Sequence, residues 1–263
     1  MTNYVVKVGG HALDTLGAGS PVLAGLAQDV ASLIDEDTHV VIVHGGGPQI
    51  QALLDAVGIP SVFREGLRVT DAQTMEYVAM ALSQVNLHLV AALNAAGLAC
   101  VGLSGVDHSS VQSSALGDPW GRAGSSPKVD SSLIQLLWQR GLTPVMSPVA
   151  VDEFGEMVNC NADSVAGALA GALETTALIL LSDVDQLRKD ALYESSSLAH
   201  VTGSEVRLLI DKGAVKDGMR PKMTAALDAL DGGARRVLVA NGTRPHALRD
   251  VLAGTAKSTE VIQ

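Results

Sequence analysis

Short apolar runs of strand length alternate along most of the chain with longer amphipathic segments of helix length. This alternation is typical of a parallel sheet with helices on both faces, because parallel strands are joined by helical crossovers. The sequence therefore predicts an α/β fold, a three-layer αβα sandwich around a mainly parallel central sheet. The predicted strands are residues 4–8, 39–43, 99–103, 143–149, 177–181 and 236–239.

Two of the predicted helices have clear start signals. Ser20 followed by Pro21 suits a cap with proline at the first helical position, and a second helix should run from an Asp71 cap to a stop at Gly97. That second helix carries one apolar stripe at three- and four-residue steps. Packing on its own sheet is favoured for this stripe, and a subunit interface is the alternative. The stripe consists of Met75, Val78, Leu82, Val85, Leu89 and Leu93.

Composition excludes several classes of protein. The chain is 47% hydrophobic and 17% charged, which indicates a globular protein with a large core. A formal net charge of −10 and the lack of a basic run disfavour nucleic acid and anionic membranes as partners. With no apolar stretch long enough to span a bilayer and no signal-peptide pattern, a cytoplasmic protein is expected. Cys100 and Cys160 are interpreted as buried free thiols.

Two glycine-containing clusters follow predicted strands. In "KVGG", Lys7 lies inside a strand that ends at Gly9 and Gly10, and a lysine there costs solvation unless its ammonium meets an anion. In "HGGGPQI", three glycines precede an amphipathic segment that opens at Pro48, where unhindered backbone N–H groups could bind an anion. A strand-edge lysine and a tight turn are the plain structural alternatives. His44, before the glycines, is interpreted as a hydrogen-bonded structural residue rather than a general base.

Two further clusters contain polar side chains suited to a ligand. Arg68 in "EGLRVTD" lies among apolar neighbours, where a guanidinium can hold a carboxylate with two hydrogen bonds. In "VNCNAD", Asn159, Asn161 and Asp163 precede a helix; a helix cap explains one of them, and the other two are expected to face a ligand. Residues 104–130, rich in Ser, Gly, Asp and Pro, are predicted to form loops or hairpins over a site.

Taken together, these clusters resemble the amino acid kinase family. "KVGG", "HGGGPQI", "GLRVTD", "NCNAD", "LLSDVD" and "DGMRPKM" occur in the order and approximate spacing of that family, over essentially the whole chain. The arginine and asparagine motifs most resemble its N-acetylglutamate kinases. The resemblance implies the fold of that family and ATP-dependent phosphorylation of the γ-carboxylate of N-acetyl-L-glutamate, a step of arginine biosynthesis.

The resemblance also implies roles for individual residues on the acceptor side. Lys7 and Lys222 would bracket the transferring phosphoryl group, and Asp163 would orient both lysines. Gly10 and Gly45 would supply backbone donors to the phosphoryl group. The expected substrate-binding residues are Gly46, Gly47, Arg68 and Asn159.

The nucleotide is expected in a C-terminal lobe of residues 176–263, next to an N-terminal lobe of residues 1–175 that binds the acyl amino acid and dimerises. ATP would use Mg²⁺ held mainly by its phosphates, with no metal ligands from the protein. Gln186 stands where the family usually has glycine, which bears on the shape of that loop. The expected nucleotide-binding residues are Asp183, Val184, Asp185, Gln186, Leu187, Ala214, Val215 and Lys216.

Several alternatives stay open or are disfavoured. A related substrate, N-acetyl-aminoadipate or a carrier-linked aminoadipate or glutamate, and a noncatalytic sensor with the same fold both stay open. A nicotinamide dehydrogenase is disfavoured because the dinucleotide fingerprint is missing, and an aspartate kinase because no regulatory domain follows. A homodimer without the arginine-inhibited ring of some relatives is expected, because the first predicted strand begins near the first residue, with no helix before it.

Overall fold

The computed structural model describes residues 2–9, 13, 17, 19–189, 194–215 and 219–263. Its central sheet has 8 strands, and every neighbouring pair is parallel except β17 with β18. The predicted mainly parallel sheet is therefore confirmed. With strands numbered in chain order, the sheet runs from β16 (His200–Thr202) through β18 (Ser258–Ile262), β17 (Val237–Asn241), β13 (Ala177–Ser182), β1 (Thr2–Val8), β2 (Thr38–His44) and β10 (Thr143–Ser147) to β5 (Cys100–Ser104).

Each predicted strand corresponds to a strand of this sheet, with one correction. The segment predicted as a single strand over residues 143–149 is two strands, β10 and β11 (Val149–Val151), which belong to different sheets. Pro148 lies between them, and its lack of an N–H group interrupts the ladder. The two strands at one edge, β16 and β18, were not predicted.

Helices cover both faces of the sheet, as predicted. One face carries α1 (Pro21–Leu33), α3 (Ala72–Ala95) and α8 (Ala247–Leu252). The other carries α4 (Ser132–Trp138), α5 (Ala162–Ala172), α6 (Gly203–Asp211) and α7 (Met219–Asp231). Successive residues of β1 alternate between the two cores, with Val5 in one and Val6 in the other. Ser20 and Asp71 cap α1 and α3 through their side chains, as predicted.

The long helix α3 buries its apolar stripe in two places. Its first half packs on α2 (Gly47–Ala56), and its second half packs on the central sheet. By length and composition alone α3 could cross a membrane, but this buried stripe makes it part of the core. Met80 and Leu87, one heptad apart, remain exposed.

A second sheet lies beside the carboxyl edge of the central one, and two short hairpins form separate two-stranded sheets. The prediction of hairpins within residues 104–130 is confirmed, since four strands of the second sheet come from this segment. Single 3₁₀ turns occupy Asp107–Ser109 and Glu194–Ser196. The second sheet runs β7 (Ala115–Gly117), β8 (Gly121–Gly124), β12 (Met157–Asn159), β11, β6 (Val111–Gln112), β9 (Lys128–Val129); the hairpins pair β3 (Phe63–Arg64) with β4 (Leu67–Arg68) and β14 (Leu187–Arg188) with β15 (Ser197–Leu198).

Helices α5 and α7 approach each other very closely, because small residues line their contact. A Cβ added at Gly167 would lie 2.6 Å from the Ala225 carbonyl oxygen, closer than any ordinary contact. One turn further on, Gly171 meets Gly232, where a Cβ at Gly232 would lie 2.7 Å from the Gly171 Cα. These small residues therefore allow the backbones of the two helices to approach closely.

We expect Gly167→Ala to lower the free energy of unfolding by about 1–3 kcal/mol, because the added methyl group forces the two backbones apart. The measurement is urea unfolding followed by circular dichroism. Gly19→Ala is the control: a Cβ there meets nothing within 4 Å, so its effect should stay within about 0.5 kcal/mol. Equal stability of the two variants would contradict the close packing.

Candidate active site

A cavity of about 300 Å³ opens where β1 and β2 end, beside the second sheet. Parallel strands place their carboxyl ends at one edge, which is where ligands bind in open α/β sheets. The cavity brings together the four clusters of glycine and polar residues found in the sequence. Its lining includes Lys7, Gly9, Gly45, Gly46, Gly47, Pro48, Ile50, Phe63, Gly66, Leu67, Arg68, Leu82, Ala123, Pro148, Asn159, Cys160, Asn161, Ala162 and Asp163.

The strongest electrostatic feature is one carboxylate between two ammonium groups. Lys7 Nζ lies 2.8 Å from Asp163 Oδ1, and Lys222 Nζ lies 3.5 Å from Asp163 Oδ2. Burial would raise the pKa of Asp163, but the charges of Lys7 and then Lys222 outweigh it and hold that pKa below its usual value. The carboxylate is therefore ionised, and the cluster carries one net positive charge.

The position of each member of this cluster follows from its element. Lys7 is the penultimate residue of β1, Asp163 lies in the first turn of α5, and Lys222 lies in the first turn of α7. Asn161 caps α5 by accepting a hydrogen bond from Asp163 N at 2.7 Å, which is the single cap expected among the polar residues of "VNCNAD". A Cβ at Gly9 would lie 2.5 Å from Lys7 Nζ, so a side chain at this position would displace the ammonium from its present place.

The glycine loop, defined as residues 45–47, forms one wall of the cavity. Gly46 packs against α3, where a Cβ would lie 2.7 Å from Leu82 Cδ2, and Gly47 begins α2. The N–H of Gly45 donates to the Val8 carbonyl at 2.9 Å. This contact is at odds with the predicted role of Gly45 as a phosphate donor, because its only N–H is used within the fold. Gly10, the other predicted phosphate-binding residue, lies outside the described residues.

His44 has the hydrogen bonds expected of a structural residue. Its Nδ1 lies 2.7 Å from the Gly45 carbonyl oxygen and its Nε2 lies 3.1 Å from Asn86 Nδ2. Burial lowers the pKa of His44 to about 4, although the hydrogen bond to Gly45 opposes that shift. The imidazole is neutral at physiological pH.

Arg68 is buried in the cavity wall and is held by neutral groups. Its Nη1 donates to Gln51 Oε1 at 3.2 Å and to the hydroxyl of Ser61, and its Nη2 donates to the Gly47 carbonyl at 3.4 Å. The Phe63 ring lies over the guanidinium, 4.6 Å from Cζ. Burial lowers the pKa of Arg68, but a guanidinium stays charged. No carboxylate of the described residues forms an ion pair with Arg68.

Asn159 lines the same cavity and is oriented by Thr70. Asn159 Nδ2 donates to Thr70 Oγ1 at 3.0 Å, and Thr70 Oγ1 donates to the Arg68 carbonyl at 2.8 Å. Thr70 therefore links Arg68 and Asn159, two of the residues that were predicted to bind the substrate. Gln51, Ser61 and Thr70 were not identified from the sequence, although "GLRVTD" contains Thr70.

The described residues among those predicted to bind the nucleotide do not line this cavity. Asp183 and Asp185 are exposed, and Asp185 lines a separate cavity of about 330 Å³. Gln186 does not have a positive φ, so this position does not require the glycine that the family usually has there. The Gln186 side chain contacts β18, where its Nε2 donates to the Ser258 carbonyl at 2.9 Å. Leu187 is buried, and so is Val215, beside half-buried Ala214. Lys216 lies outside the described residues.

Two further predictions concern metals and thiols. Within the described ranges, no three His, Cys, Asp or Glu side chains gather in a way that could hold a metal ion. Cys100 and Cys160 are buried free thiols, as predicted, and burial raises the pKa of each to about 11. Cys160 lines the cavity as a protonated, unreactive group.

Sequence comparison identifies the family. A sequence profile of the amino acid kinase family matches residues 3–241. The chain belongs to this family. An acetylglutamate kinase of Symbiobacterium thermophilum is 39% identical over 255 residues, which cover 93% of this chain and 85% of that protein. An acetylglutamate kinase of a Synechococcus strain is 41% identical over 246 residues, with coverage of 93% and 85%.

Structural comparison agrees with the family at the level of the fold. The N-acetylglutamate synthase of Neisseria gonorrhoeae, solved with coenzyme A and N-acetyl-glutamate, superposes with a TM-score of 0.82 at 22% identity. The match covers 100% of this chain and 59% of that chain. Because the identity is this low, the comparison shows a shared fold and nothing more.

Proposed function

We propose that this protein is an acetylglutamate kinase, which transfers the γ-phosphoryl group of ATP to the γ-carboxylate of N-acetyl-L-glutamate in arginine biosynthesis. The product is N-acetyl-L-glutamyl 5-phosphate. The observation that carries this proposal is the pair of lysines on Asp163, a carboxylate that lines the same cavity as the buried Arg68. The high identity to acetylglutamate kinases over most of the chain supports the choice of substrate.

The proposed reaction needs charge neutralisation more than acid–base chemistry. A γ-carboxylate oxygen attacks the γ-phosphorus, a P–O bond forms, and the bond from that phosphorus to the β,γ-bridging oxygen breaks to release ADP. A carboxylate is already ionised at neutral pH, so no proton has to be removed from it. The protein must hold two anions together in line and stabilise the charge that spreads in the transition state.

Lys7 and Lys222 supply this positive charge from two directions. Asp163 holds their ammonium groups at the carboxyl edge of the sheet and compensates one of the two charges. The remaining positive charge lies in a buried setting, where it interacts more strongly with phosphate than it would in water. In this proposal the transferring phosphoryl group lies between the two lysines.

The acyl amino acid occupies the cavity with its α-carboxylate on Arg68. Arg68 is charged, buried and free of a carboxylate partner among the described residues, and its guanidinium suits two-point binding of a carboxylate. Asn159, which also lines the cavity, binds the acylamino group. Backbone N–H groups of Gly46 and Gly47 meet the reacting carboxylate at the N-terminus of α2, where the first N–H groups lack helical partners.

The nucleotide is assigned to the lobe of residues 176–263, which shares the central sheet with the lobe of residues 1–175. Residues 183–187 and 214–216 would flank it, and Gly10 would meet its phosphates. Mg²⁺ would be held mainly by the nucleotide phosphates, where it neutralises charge on the transferring group. We expect the enzyme to act in the cytoplasm.

The direct test is to incubate the purified protein with MgATP and one candidate acceptor, and to trap acyl phosphate with hydroxylamine. The acceptors are N-acetyl-L-glutamate, N-acetyl-aminoadipate, glutamate and aspartate. The highest kcat/KM is expected with N-acetyl-L-glutamate. A clear preference for the aminoadipate compound would reassign the substrate, and no acyl phosphate with any acceptor would favour a noncatalytic sensor.

Lys7→Ala and Lys222→Ala should each lower kcat by about 10²–10³-fold and raise substrate KM far less, because their contacts strengthen as charge moves in the transition state. Steady-state kinetics with N-acetyl-L-glutamate measures both constants. Lys128→Ala, at an exposed position of β9, is the matched control and should leave them unchanged. Near-normal kcat in both site variants would contradict their assignment.

Arg68→Ala should raise the KM for N-acetyl-L-glutamate by about 10²-fold, because a charge-assisted pair of hydrogen bonds to the α-carboxylate is lost. The KM for ATP should change by less than about 2-fold. Arg140→Ala, at an exposed arginine, should alter neither constant. A similar rise in both KM values would rule out a specific contact with the acyl amino acid.

We further propose a homodimer formed through the exposed face of α3, where Met80 and Leu87 present apolar surface. Light scattering after size-exclusion chromatography should give about twice the chain mass of 27.1 kDa. The double substitution Met80→Glu and Leu87→Glu should give the monomer mass, whereas Leu136→Glu, at an exposed leucine of α4, should not. A monomeric or hexameric wild-type protein would contradict this proposal.

A further inference from the structure

We propose that His44 and Asn86 are positioning residues that fix the glycine loop for binding of the acyl amino acid. Neither is among the described residues that line the cavity, so neither is placed in contact with substrate. The assignment rests on the proposed function for the identity of the ligand. The hydrogen bonds that carry it are independent of that function.

The hydrogen bonds of His44 specify one neutral tautomer. The Gly45 carbonyl oxygen can only accept, so Nδ1, 2.7 Å away, carries the proton. Nε2 is then an acceptor, and Asn86 Nδ2 donates to it at 3.1 Å. His44 is fully buried, so this arrangement satisfies both ring nitrogens without a charge.

Asn86 ties this pair to the framework of the fold. Its Nδ2 also donates to the Val145 carbonyl of β10 at 2.9 Å. On its other side, a Cβ at residue 102 would lie 2.0 Å from Asn86 Oδ1, so only the glycine found there admits this side chain. Asn86 is therefore fixed between α3, β10 and β5, and His44 is fixed through it.

The constraint reaches the cavity through Gly45. Its carbonyl oxygen is held by His44 and its N–H by the Val8 carbonyl, so both of its polar groups are fixed. Gly46 then rests against α3, the helix that carries Asn86, and the Gly47 carbonyl accepts from Arg68. If the loop moved, the backbone N–H groups of Gly46 and Gly47 would shift, and the contact between Arg68 and the Gly47 carbonyl would weaken at the same time.

This arrangement acts on the acceptor side of the site and not on the lysine cluster. The two lysines and Asp163 come from β1, α5 and α7, and no hydrogen bond described for His44 or Asn86 reaches them. Loss of the pair should therefore weaken binding of the acyl amino acid at the glycine loop and leave the lysine cluster and binding of ATP largely intact.

Kinetics on four variants of the full-length protein tests this assignment. Asn86→Leu and His44→Leu should raise the KM for N-acetyl-L-glutamate by about 10-fold or more and change the KM for ATP by less than about 3-fold. His44→Asn should restore much of the loss, because its amide can donate to the Gly45 carbonyl from near the Nδ1 position. Asn94→Leu is the matched control: this asparagine of the same helix bonds the backbone of Cys100 instead.

Hydrogen exchange measured by mass spectrometry gives a readout that does not depend on activity. The peptide covering residues 45–50 should exchange faster in Asn86→Leu than in wild type, and Asn94→Leu should leave that peptide unchanged. If Asn86→Leu alters neither exchange nor KM, or lowers kcat with KM unchanged, the positioning role is wrong. If wild type phosphorylates no acceptor, the proposed function fails, and the exchange rates still decide whether the pair holds the loop.

Discussion

The site depends on one buried carboxylate that holds two ammonium groups. Lys7 and Lys222 come from the first strand and from a helix more than two hundred residues later, and they approach each other only because Asp163 lies between them. Two buried lysines without this carboxylate would repel, and each would incur a large desolvation cost. The close contact of α5 and α7 at Gly167 keeps the carboxylate and the second lysine on adjacent helices.

The separation of charge within the cavity has a chemical consequence. Lys7 supplies positive charge at the end of β1, and Arg68 supplies a second positive charge beside Gly47 of the glycine loop. A ligand with two anionic ends fits this distribution, and in N-acetyl-L-glutamate the two ends are its carboxylates. The neutral His44 contributes hydrogen bonds to the wall without adding a third positive charge.

Much of the fold and part of the site could be predicted because their signals are local. Apolar periodicity indicated the strands and helices, and the motifs around Lys7 and Arg68 indicated a cavity at the ends of strands. Contacts between distant segments could not be read in the same way. The donation from Gly45 N to Val8 O and the break at Pro148 depend on which strands pair, and the roles of Gln51 and Thr70 depend on which loops meet.

A crystal structure with a nonhydrolysable ATP analogue, Mg²⁺ and N-acetyl-L-glutamate tests the central assignment most directly. We predict that the ammonium groups of Lys7 and Lys222 lie within about 3.2 Å of oxygens of the terminal phosphate or the γ-carboxylate. Arg68 should hold the α-carboxylate of the same N-acetyl-L-glutamate molecule. An acyl amino acid bound outside this cavity, or phosphates remote from both lysines, would contradict the assignment.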